Sequence, residues 1–161
     1  MNNTFSNTQK LTISGLVIAI YVVLMYFTRP FAFGAVQIRI ATGLYALSYL
    51  FPFLILPLGI ANLVSNFTMG GIGFWDAAGG MVVGILTSGG IYLIRRLRLP
   101  RFFAIPVIIA GPGLLVPIWL SPVAGVPYPA LALSLCAGQI LPAIAGYLLI
   151  SAFIRMGVEQ R

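Results

Sequence analysis

The sequence predicts an all-α membrane protein of six transmembrane helices, in a single domain that covers residues 1–161. Hydrophobic residues make up 60% of the chain and charged residues only 7%, whereas a soluble domain carries about 25% charged residues. Four long runs, residues 11–28, 40–75, 77–94 and 102–154, contain no charged residue at all. About 20 apolar residues are enough for a helix to cross the hydrocarbon layer, so we expect lipid around this chain.

The first half of the chain predicts three helices. Helix 1 covers Leu11–Thr28 and ends before Arg29-Pro30, because proline disfavours helical geometry in the residue before it. We interpret helix 1 as retained rather than as a signal peptide, since its apolar run is as long as a membrane span and no small-residue cleavage site follows. A connection through Gln37 leads to helix 2, Arg39–Tyr49. Helix 3 covers Pro52–Phe67, and the segment TMGGIGFWD is a predicted glycine-rich loop.

The second half predicts three longer helices. Helix 4 covers Asp76–Ile94 and is followed by the basic loop RRLRLPR. Helix 5 covers Phe102–Leu120, with an internal break predicted at the GPG sequence of residues 111–113. After the turn SPVAGVPYP, helix 6 covers Ala130–Met156.

The distribution of basic residues predicts that both termini are cytoplasmic. Helix 2 is short for a membrane span. If it crosses, Arg29 and Arg39 lie outside, and the other basic residues lie inside. Those are Lys10, Arg95, Arg96, Arg98, Arg101, Arg155 and Arg161. If helix 2 does not cross, the basic loop moves outside, against the positive-inside rule. We therefore predict six crossings, with helix 2 short or tilted.

The residue inventory argues against several classes of function. The chain has no histidine, one cysteine and two carboxylates, Asp76 and Glu159, so an acid–base enzyme or a metal site is not expected. It has no phosphate-binding loop of the G-x-x-x-x-G-K-[ST] type, so any ATP hydrolysis would come from another chain. The net charge of +7 comes largely from arginines at helix ends, where membrane anchoring predicts them. We expect no catalytic residue, cofactor, metal or nucleic-acid partner.

Arg39 is the first candidate for a binding residue. An arginine inside a membrane helix costs about 2.5–3.5 kcal/mol on insertion scales, so it is a functional candidate by default. Its guanidinium suits planar acceptors such as carboxylates, carbonyls and purine edges. Alternatively, Arg39 extends to the outer interface or pairs with Asp76. Asp76 itself caps the N-terminus of helix 4, faces Arg39 across an outward-facing cavity, or does both.

Neutral polar and aromatic side chains supply further candidates. Asn62 and Asn66 lie four residues apart and share a face of helix 3, where they either join helices or bind a polar ligand. Gln37 and Gln139 are candidates of the same kind. Aromatic rings could stack on a flat ligand, although at membrane interfaces they are usually anchors. The aromatic candidates are Trp75, Tyr45, Tyr128 and Tyr147.

Pairs of small residues four positions apart let helices approach closely in lipid. Three predicted helices carry such a pair: Gly15 and Ala19 in helix 1, Ala61 and Ser65 in helix 3, Gly80 and Gly84 in helix 4. These pairs either pack the bundle or, in helix 1, form a docking face for another membrane subunit.

Three segments, GAVQIRI, LPLGIANLVSN and GFWDAAGGMVVGILTSGGIYLIRRL, resemble the queuosine-precursor transporter family of the QueT type, over about residues 11–100. Members of this family are substrate-binding S components of energy-coupling factor (ECF) transporters. The resemblance implies a six-helix protein in the plasma membrane of a prokaryote. It also implies capture of a vitamin-like molecule from the outer side and docking on a shared transmembrane subunit powered by two ATPase subunits.

The resemblance further implies roles for individual residues. The family's Gln-x-Arg falls on Gln37 and Arg39, and its acidic residue at the start of helix 4 falls on Asp76. Its docking face on helix 1 falls on Gly15 and Ala19.

The chain departs from the family pattern at one position. The family continues Gln-x-Arg with Ile-Ser-Glu-Ala-Leu, whereas this chain reads Ile-Ala-Thr-Gly-Leu, so Thr42 stands in place of a glutamate. Threonine can form hydrogen bonds but brings no charge. This departure leaves the identity of the ligand open.

The leading hypothesis is an S component that binds a small planar molecule, a queuosine precursor of the 7-deazaguanine type. The alternative is a stand-alone secondary transporter or channel for a small polar solute, for which Asp76 is the one plausible coupling carboxylate. The predicted substrate-binding residues are Gln37, Arg39, Thr42, Asn62, Asn66, Trp75, Asp76, Tyr128 and Gln139.

Overall fold

The computed structural model describes residues 5–33, 37–70 and 73–158, and within these ranges the chain is helical and contains no strand. The all-α prediction is therefore confirmed. Residues 34–36 of the GAVQIRI segment, residues 71 and 72 of the glycine-rich loop, and Arg161 lie outside the described residues.

The described helices follow in chain order. They are α1 (Asn7–Phe27), α2 (Arg29–Ala32), a 3₁₀ helix (Ile40–Tyr49), α3 (Ile55–Ser65), α4 (Phe74–Arg96), α5 (Ala104–Leu115), α6 (Pro117–Ala124), α7 (Tyr128–Gly138) and α8 (Ile140–Arg155). Short 3₁₀ turns at Pro52–Leu54 and Arg101–Phe103 lead into α3 and α5, and a π-helical turn at Asn66–Gly70 extends α3.

Five segments of the described chain are long and apolar enough to cross a membrane, judged by length and composition. They are Asn7–Phe27, Pro52–Gly70, Phe74–Arg96, Arg101–Ala124 and Tyr128–Arg155. These spans correspond to predicted helices 1, 3, 4, 5 and 6. A sixth crossing and the cytoplasmic position of both termini stay predictions.

α1 begins earlier than the apolar pattern predicts because it has a complete N-terminal capping box. The hydroxyl of Ser6 accepts from the backbone N–H of Gln9 at 3.2 Å, and the Gln9 side chain accepts from the Ser6 N–H at 2.8 Å. Each interaction satisfies a donor that the first helical turn leaves unpaired. The helix ends at Phe27, and Pro30 lies in the single turn of α2 that follows.

Predicted helix 2 is a 3₁₀ helix, Ile40–Tyr49, with most of its ten residues buried. A 3₁₀ helix rises about 2.0 Å per residue, which gives about 20 Å for this segment, against a hydrocarbon layer of about 30 Å. It packs against α8, α4 and α1. Arg95 of α4 holds its end by donating to the carbonyls of Tyr49 and Leu50 at 3.1 and 3.2 Å. Predicted helix 2 is thus a core element enclosed by its neighbours.

The predicted break at residues 111–113 is wrong, because these residues lie inside α5. The interruption comes later, at Val116, where Pro117 has no N–H to continue the hydrogen-bond ladder. The helical path itself continues, since the Leu120 N–H bonds to the Val116 carbonyl at 3.1 Å. The glycines of this segment serve packing instead: a methyl group on Gly113 would lie 3.1 Å from the Cα of Cys136.

Small residues bring α3 and α4 into close contact, as the sequence pattern suggested for Gly80 and Gly84. A methyl group on Gly84 would lie 3.0 Å from the Cα of Gly59. A methyl group on Gly80 would lie 2.5 Å from Asn66 Nδ2 and 2.8 Å from Asn62 Oδ1. Backbone proximity at Gly84 therefore places the polar side chains of α3 directly against α4.

A second close contact joins the 3₁₀ helix to α8. A methyl group on Gly43 would lie 2.8 Å from the carbonyl oxygen of Pro142, and one on Gly146 would lie 2.8 Å from the carbonyl oxygen of Gly43. Both obstacles are backbone atoms, which cannot rotate away as a side chain can. These two glycines fix how near the 3₁₀ helix lies to α8.

We expect Gly43→Ala to lower the free energy of unfolding by about 1–3 kcal/mol, the usual cost of an extra methyl group in a packed core. Gly89→Ala is the control, because a methyl group there meets no atom within 4 Å among the described residues. Thermal unfolding in detergent, followed by circular dichroism, measures both. Equal melting temperatures for the two variants would contradict the proposed backbone contact.

Candidate substrate-binding site

A cleft of about 580 Å³ lies near the end of α1 and the start of α4. We call it the Arg39 cleft. The described residues that line it are Arg29, Pro30, Phe33, Gln37, Arg39, Met69, Gly70 and Asp76. The lining therefore combines two guanidinium groups, one carboxylate and a few apolar surfaces.

Arg39 is buried at the inner side of the cleft, with 4% of its surface exposed. Its Nε donates to the carbonyl of Ala32 at 3.2 Å, and its Nη1 donates to Asn66 Oδ1 at 3.1 Å. The guanidinium carbon lies 4.9 Å from the centre of the Phe33 ring, within cation–π range. Arginine has five N–H donors, so three remain without a partner among the described residues. The arrangement fixes the guanidinium plane and leaves donors for a ligand.

Asp76 is also nearly fully buried, at 3% exposure. Its interpretation as a helix cap is wrong, because α4 begins at Phe74 after Gly73, whose φ of 82° favours glycine. Asp76 instead lies in the first turn of α4, where the helix dipole favours a negative charge. Its Oδ1 accepts from the indole N–H of Trp119 at 3.2 Å. A methyl group on Gly70 would lie 3.1 Å from Oδ2, which places that oxygen beside the cleft lining.

Asn66 connects the two charged residues through hydrogen bonds. Its Oδ1 accepts from Arg39, and its Nδ2 donates to the backbone carbonyl of Asp76 at 3.2 Å. Among the described residues, the guanidinium of Arg39 therefore bonds to Asn66 and Ala32 rather than to the carboxylate of Asp76. Asn66 is 3% exposed and lies behind the cleft wall. Its position fits orienting Arg39 better than contacting a ligand.

Thr42 and Gln139 form a buried polar pair behind Gln37. The Thr42 hydroxyl lies 2.7 Å from the carbonyl oxygen of Arg39 and 2.6 Å from Gln139 Oε1. Gln139 Nε2 donates to the carbonyl of Gln37 at 3.3 Å, and Gln37 adopts a left-handed φ of 46°. These bonds hold the chain on both sides of Arg39. Of the three polar side chains, only Gln37 lines the described cleft.

Asn62 belongs to a deeper polar cluster in the core. Its Nδ2 donates to the hydroxyl of Tyr45 at 2.6 Å, and that hydroxyl lies 3.1 Å from the hydroxyl of Tyr21. The two tyrosine rings are stacked at 5.9 Å. This cluster joins α3, the 3₁₀ helix and α1, an arrangement that fits the interhelical role, one of the two predicted for Asn62.

The structure places the predicted stacking residues away from the Arg39 cleft. Trp75 is 78% exposed and lines a separate apolar groove between α4 and α6. Tyr128 is 40% exposed and donates its hydroxyl to the Leu114 carbonyl at 2.9 Å. The Tyr147 ring lies 5.9 Å from the Arg101 guanidinium, near the basic loop. The aromatic ring at the cleft is Phe33, and no motif in the sequence singled it out.

The residues predicted for docking lie on an exposed face of α1. Gly15 and Ala19 are both exposed, and a methyl group on Gly15 meets no described atom within 4 Å. Leu16 and Ile20 beside them are exposed as well. Position 15 therefore has open space around it among the described residues, and Ala19, one turn along α1, is exposed.

The model of the family described as "QueT transporter" matches residues 11–155 of this chain. The chain belongs to the QueT transporter family. The match extends the resemblance, which rested on residues 11–100, through α5 to α8. No curated protein and no solved structure matches the chain.

Membership of the QueT family identifies the chain as an S component, and the family is one of transport proteins rather than of enzymes. The several apolar helices of the structure agree with a multi-pass membrane protein. In this QueT protein Gln37, Arg39 and Asp76, the residues that the resemblance singled out, line one cleft. Thr42, which the resemblance matched to a glutamate, is 1% exposed and is not one of the described lining residues of the cleft.

Proposed function

We propose that this QueT protein captures a queuosine precursor of the 7-deazaguanine type and delivers it for ATP-driven uptake. The observation that carries the proposal is that Arg39 and Asp76, each nearly fully buried, line the same cleft. Both groups are costly to bury in a membrane protein and mark a functional site by default. A ligand that satisfies both would explain why they lie together.

The chemistry of the cleft fits the edge of a guanine-like ring. Such a ring presents a carbonyl oxygen beside N–H groups. Arginine donates hydrogen bonds to the carbonyl oxygen, and a carboxylate accepts hydrogen bonds from the N–H groups. In our proposal Arg39 donates to the carbonyl and Asp76 Oδ2 accepts from the ring N–H groups. The Phe33 ring provides an apolar surface beside the guanidinium. The volume of about 580 Å³ lies within the range of about 300–1,000 Å³ that is usual for small-molecule sites.

The position of the cleft supports capture from the outer side. Asp76 lies in the first turn of α4, whereas Arg95 and Arg96 lie in its last turn. A 23-residue helix is about 34 Å long, so the cleft and the basic loop lie at opposite ends of a membrane span. The positive-inside rule assigns the basic loop to the cytoplasm. We therefore propose that the cleft opens outward from the plasma membrane of a prokaryote.

In the proposed assembly the chain acts with a shared ECF transmembrane subunit and two ATPase subunits. The exposed Gly15 and Ala19 face of α1 supplies a surface where a second helix can approach closely. The sequence has no phosphate-binding loop, in agreement with ATP hydrolysis by separate chains.

Purification of the chain in detergent, followed by mass spectrometry of the co-purifying molecule, tests the ligand. We expect a 7-deazaguanine, and we expect added 7-deazaguanine to raise the melting temperature of ligand-free protein. Recovery of phospholipid alone, without a thermal shift, would refute the proposed ligand. Uptake into liposomes by the chain alone, without any ATPase subunit, would favour the secondary transporter or channel instead.

A further inference from the structure

Trp119 makes a side-chain contact with the cleft carboxylate from a distant part of the chain. Its indole N–H donates to Asp76 Oδ1 at 3.2 Å, across a separation of 43 residues. An indole N–H is a donor only, so Oδ1 is held as an acceptor. The second oxygen, Oδ2, lies beside Gly70 in the cleft lining. The two oxygens of Asp76 therefore have different surroundings: Oδ1 is bonded to Trp119, and Oδ2 lies at the cleft.

The surface of α4 is shaped to receive this indole. A methyl group on Gly79 would lie 2.7 Å from Cζ2 and 2.8 Å from Cε2 of Trp119, so the ring lies directly against the helix backbone. Any larger residue at this position would move the ring. Gly79 is one helical turn from Asp76 and on the same side of α4. Gly79 thus sets the position of the Trp119 ring, and this ring orients the carboxylate of Asp76 on the same helix.

Trp119 also lines the apolar groove between α4 and α6, together with Trp75, Ala78, Gly79 and Val82. The polar Arg39 cleft has Asp76 in its wall, and the indole of Trp119 contacts that residue from the groove side. An apolar environment strengthens a hydrogen bond to a charged group. The indole ring thus covers Asp76 from the apolar side.

We propose that Trp119 is a positioning residue for Asp76. The indole N–H of Trp119 holds Oδ1 of Asp76, so that Oδ2 alone faces the N–H groups of the ligand. This inference rests on the proposed function for the nature of the ligand. Because Oδ2 is a fixed acceptor, it disfavours a ligand whose facing edge also presents an acceptor. By fixing this oxygen, Trp119 contributes to the selectivity between ligands. In this account 7-deazaguanine, which has N–H donors at that edge, is preferred over 7-deazaadenine, which presents a ring nitrogen acceptor there.

Two substitutions test the role in binding. Trp119→Phe keeps an aromatic ring but removes the N–H, and Gly79→Ala displaces the ring. We expect each to weaken 7-deazaguanine binding at least about tenfold, the lower end of the effect of losing one hydrogen bond to a charged group. We expect the preference over 7-deazaadenine to fall by a similar factor. Gly89→Ala, on the same helix with no described atom within 4 Å of its methyl group, should bind as the unchanged protein does.

A fluorescence measurement tests the contact without any ligand. The chain has two tryptophans, so Trp75→Phe leaves Trp119 as the single tryptophan. Trp75 is exposed and outside the Arg39 cleft. In that background we expect Asp76→Asn to shift the emission maximum of Trp119. The matched protein with Trp119→Phe, which retains Trp75, should show a smaller shift on the same change.

The outcomes separate this inference from the proposed function. If the unchanged protein binds 7-deazaguanine while Trp119→Phe keeps both affinity and discrimination, the positioning role is overturned and the proposed function stands. If 7-deazaguanine does not bind the unchanged protein, the proposed function fails. In that case the emission measurement still tests the contact between Trp119 and Asp76. If Asp76→Asn leaves the emission maximum of Trp119 unchanged in the Trp75→Phe protein, the contact is overturned.

Discussion

Replacing Arg39 with glutamine is expected to lower the affinity for 7-deazaguanine about 100-fold or more. Arg39 is 4% exposed, and loss of one partner from a buried, charged interaction costs about 2–5 kcal/mol. A hundredfold change corresponds to about 2.7 kcal/mol. Glutamine keeps an N–H donor, but its side chain is shorter and lacks the charge and the planar fork of arginine. Calorimetric titration of the purified variant measures the affinity directly.

Two controls show whether the loss comes from the cleft. Arg39→Lys retains the charge without the fork, and we expect it to recover only part of the affinity because the guanidinium geometry is lost. Arg98→Gln removes an exposed arginine of the basic loop, far along the chain from the cleft, and should leave the affinity unchanged. An Arg39→Gln protein that binds as tightly as the unchanged one would remove Arg39 from the site.

Replacing Gly80 with alanine is expected to damage both stability and binding. The added methyl group would lie 2.5 Å from Asn66 Nδ2 and 2.8 Å from Asn62 Oδ1, so one or both amides must move. We expect the free energy of unfolding to fall by about 1–3 kcal/mol. Because Asn66 Oδ1 accepts from Arg39, we also expect the affinity for 7-deazaguanine to fall at least tenfold, since a hydrogen bond to a charged group is worth about 1.5–3 kcal/mol.

Gly89→Ala is the matched control for this substitution as well, since it adds the same methyl group to the same helix in open space. Melting temperature and affinity are measured on both proteins in the same detergent. If Gly80→Ala melts and binds as Gly89→Ala does, the amides of α3 do not depend on the glycine, and the link from Asn66 to Arg39 is not required for binding.

Much of the fold follows from the apolar runs of the sequence. Long runs without charge predicted helices at the five segments that are long and apolar enough to cross a membrane, because such a helix needs about 20 apolar residues. Because charged residues are so scarce, the sequence also identified Arg39 and Asp76 as candidate binding residues. A membrane-spanning sequence retains such groups only where another interaction compensates their burial. Both line the cleft.

Other features could not be predicted because they depend on contacts between distant parts of the chain. The partner of Asp76 is Trp119, 43 residues away, and the partner of Thr42 is Gln139, 97 residues away. The 3₁₀ geometry of Ile40–Tyr49 could also not be predicted from the sequence, since the apolar composition of this segment fits an α-helix equally well.

The position of Thr42 changes the meaning of the departure from the family pattern. As a sequence difference it suggested an altered ligand contact. In the structure the side chain lies in a buried pair with Gln139 and bonds to the carbonyl of Arg39. Within the described lining of the cleft, the carboxylate is that of Asp76.

In the proposed function, one buried arginine and one buried carboxylate together recognise the edge of a 7-deazaguanine. The most direct measurement is calorimetric titration of the ligand-free chain with 7-deazaguanine and, separately, with 7-deazaadenine, in which the hydrogen-bonding pattern of that edge is reversed. We predict saturable binding of 7-deazaguanine and at least tenfold weaker binding of 7-deazaadenine. Equal affinity for the two compounds, or no binding of 7-deazaguanine, would contradict it.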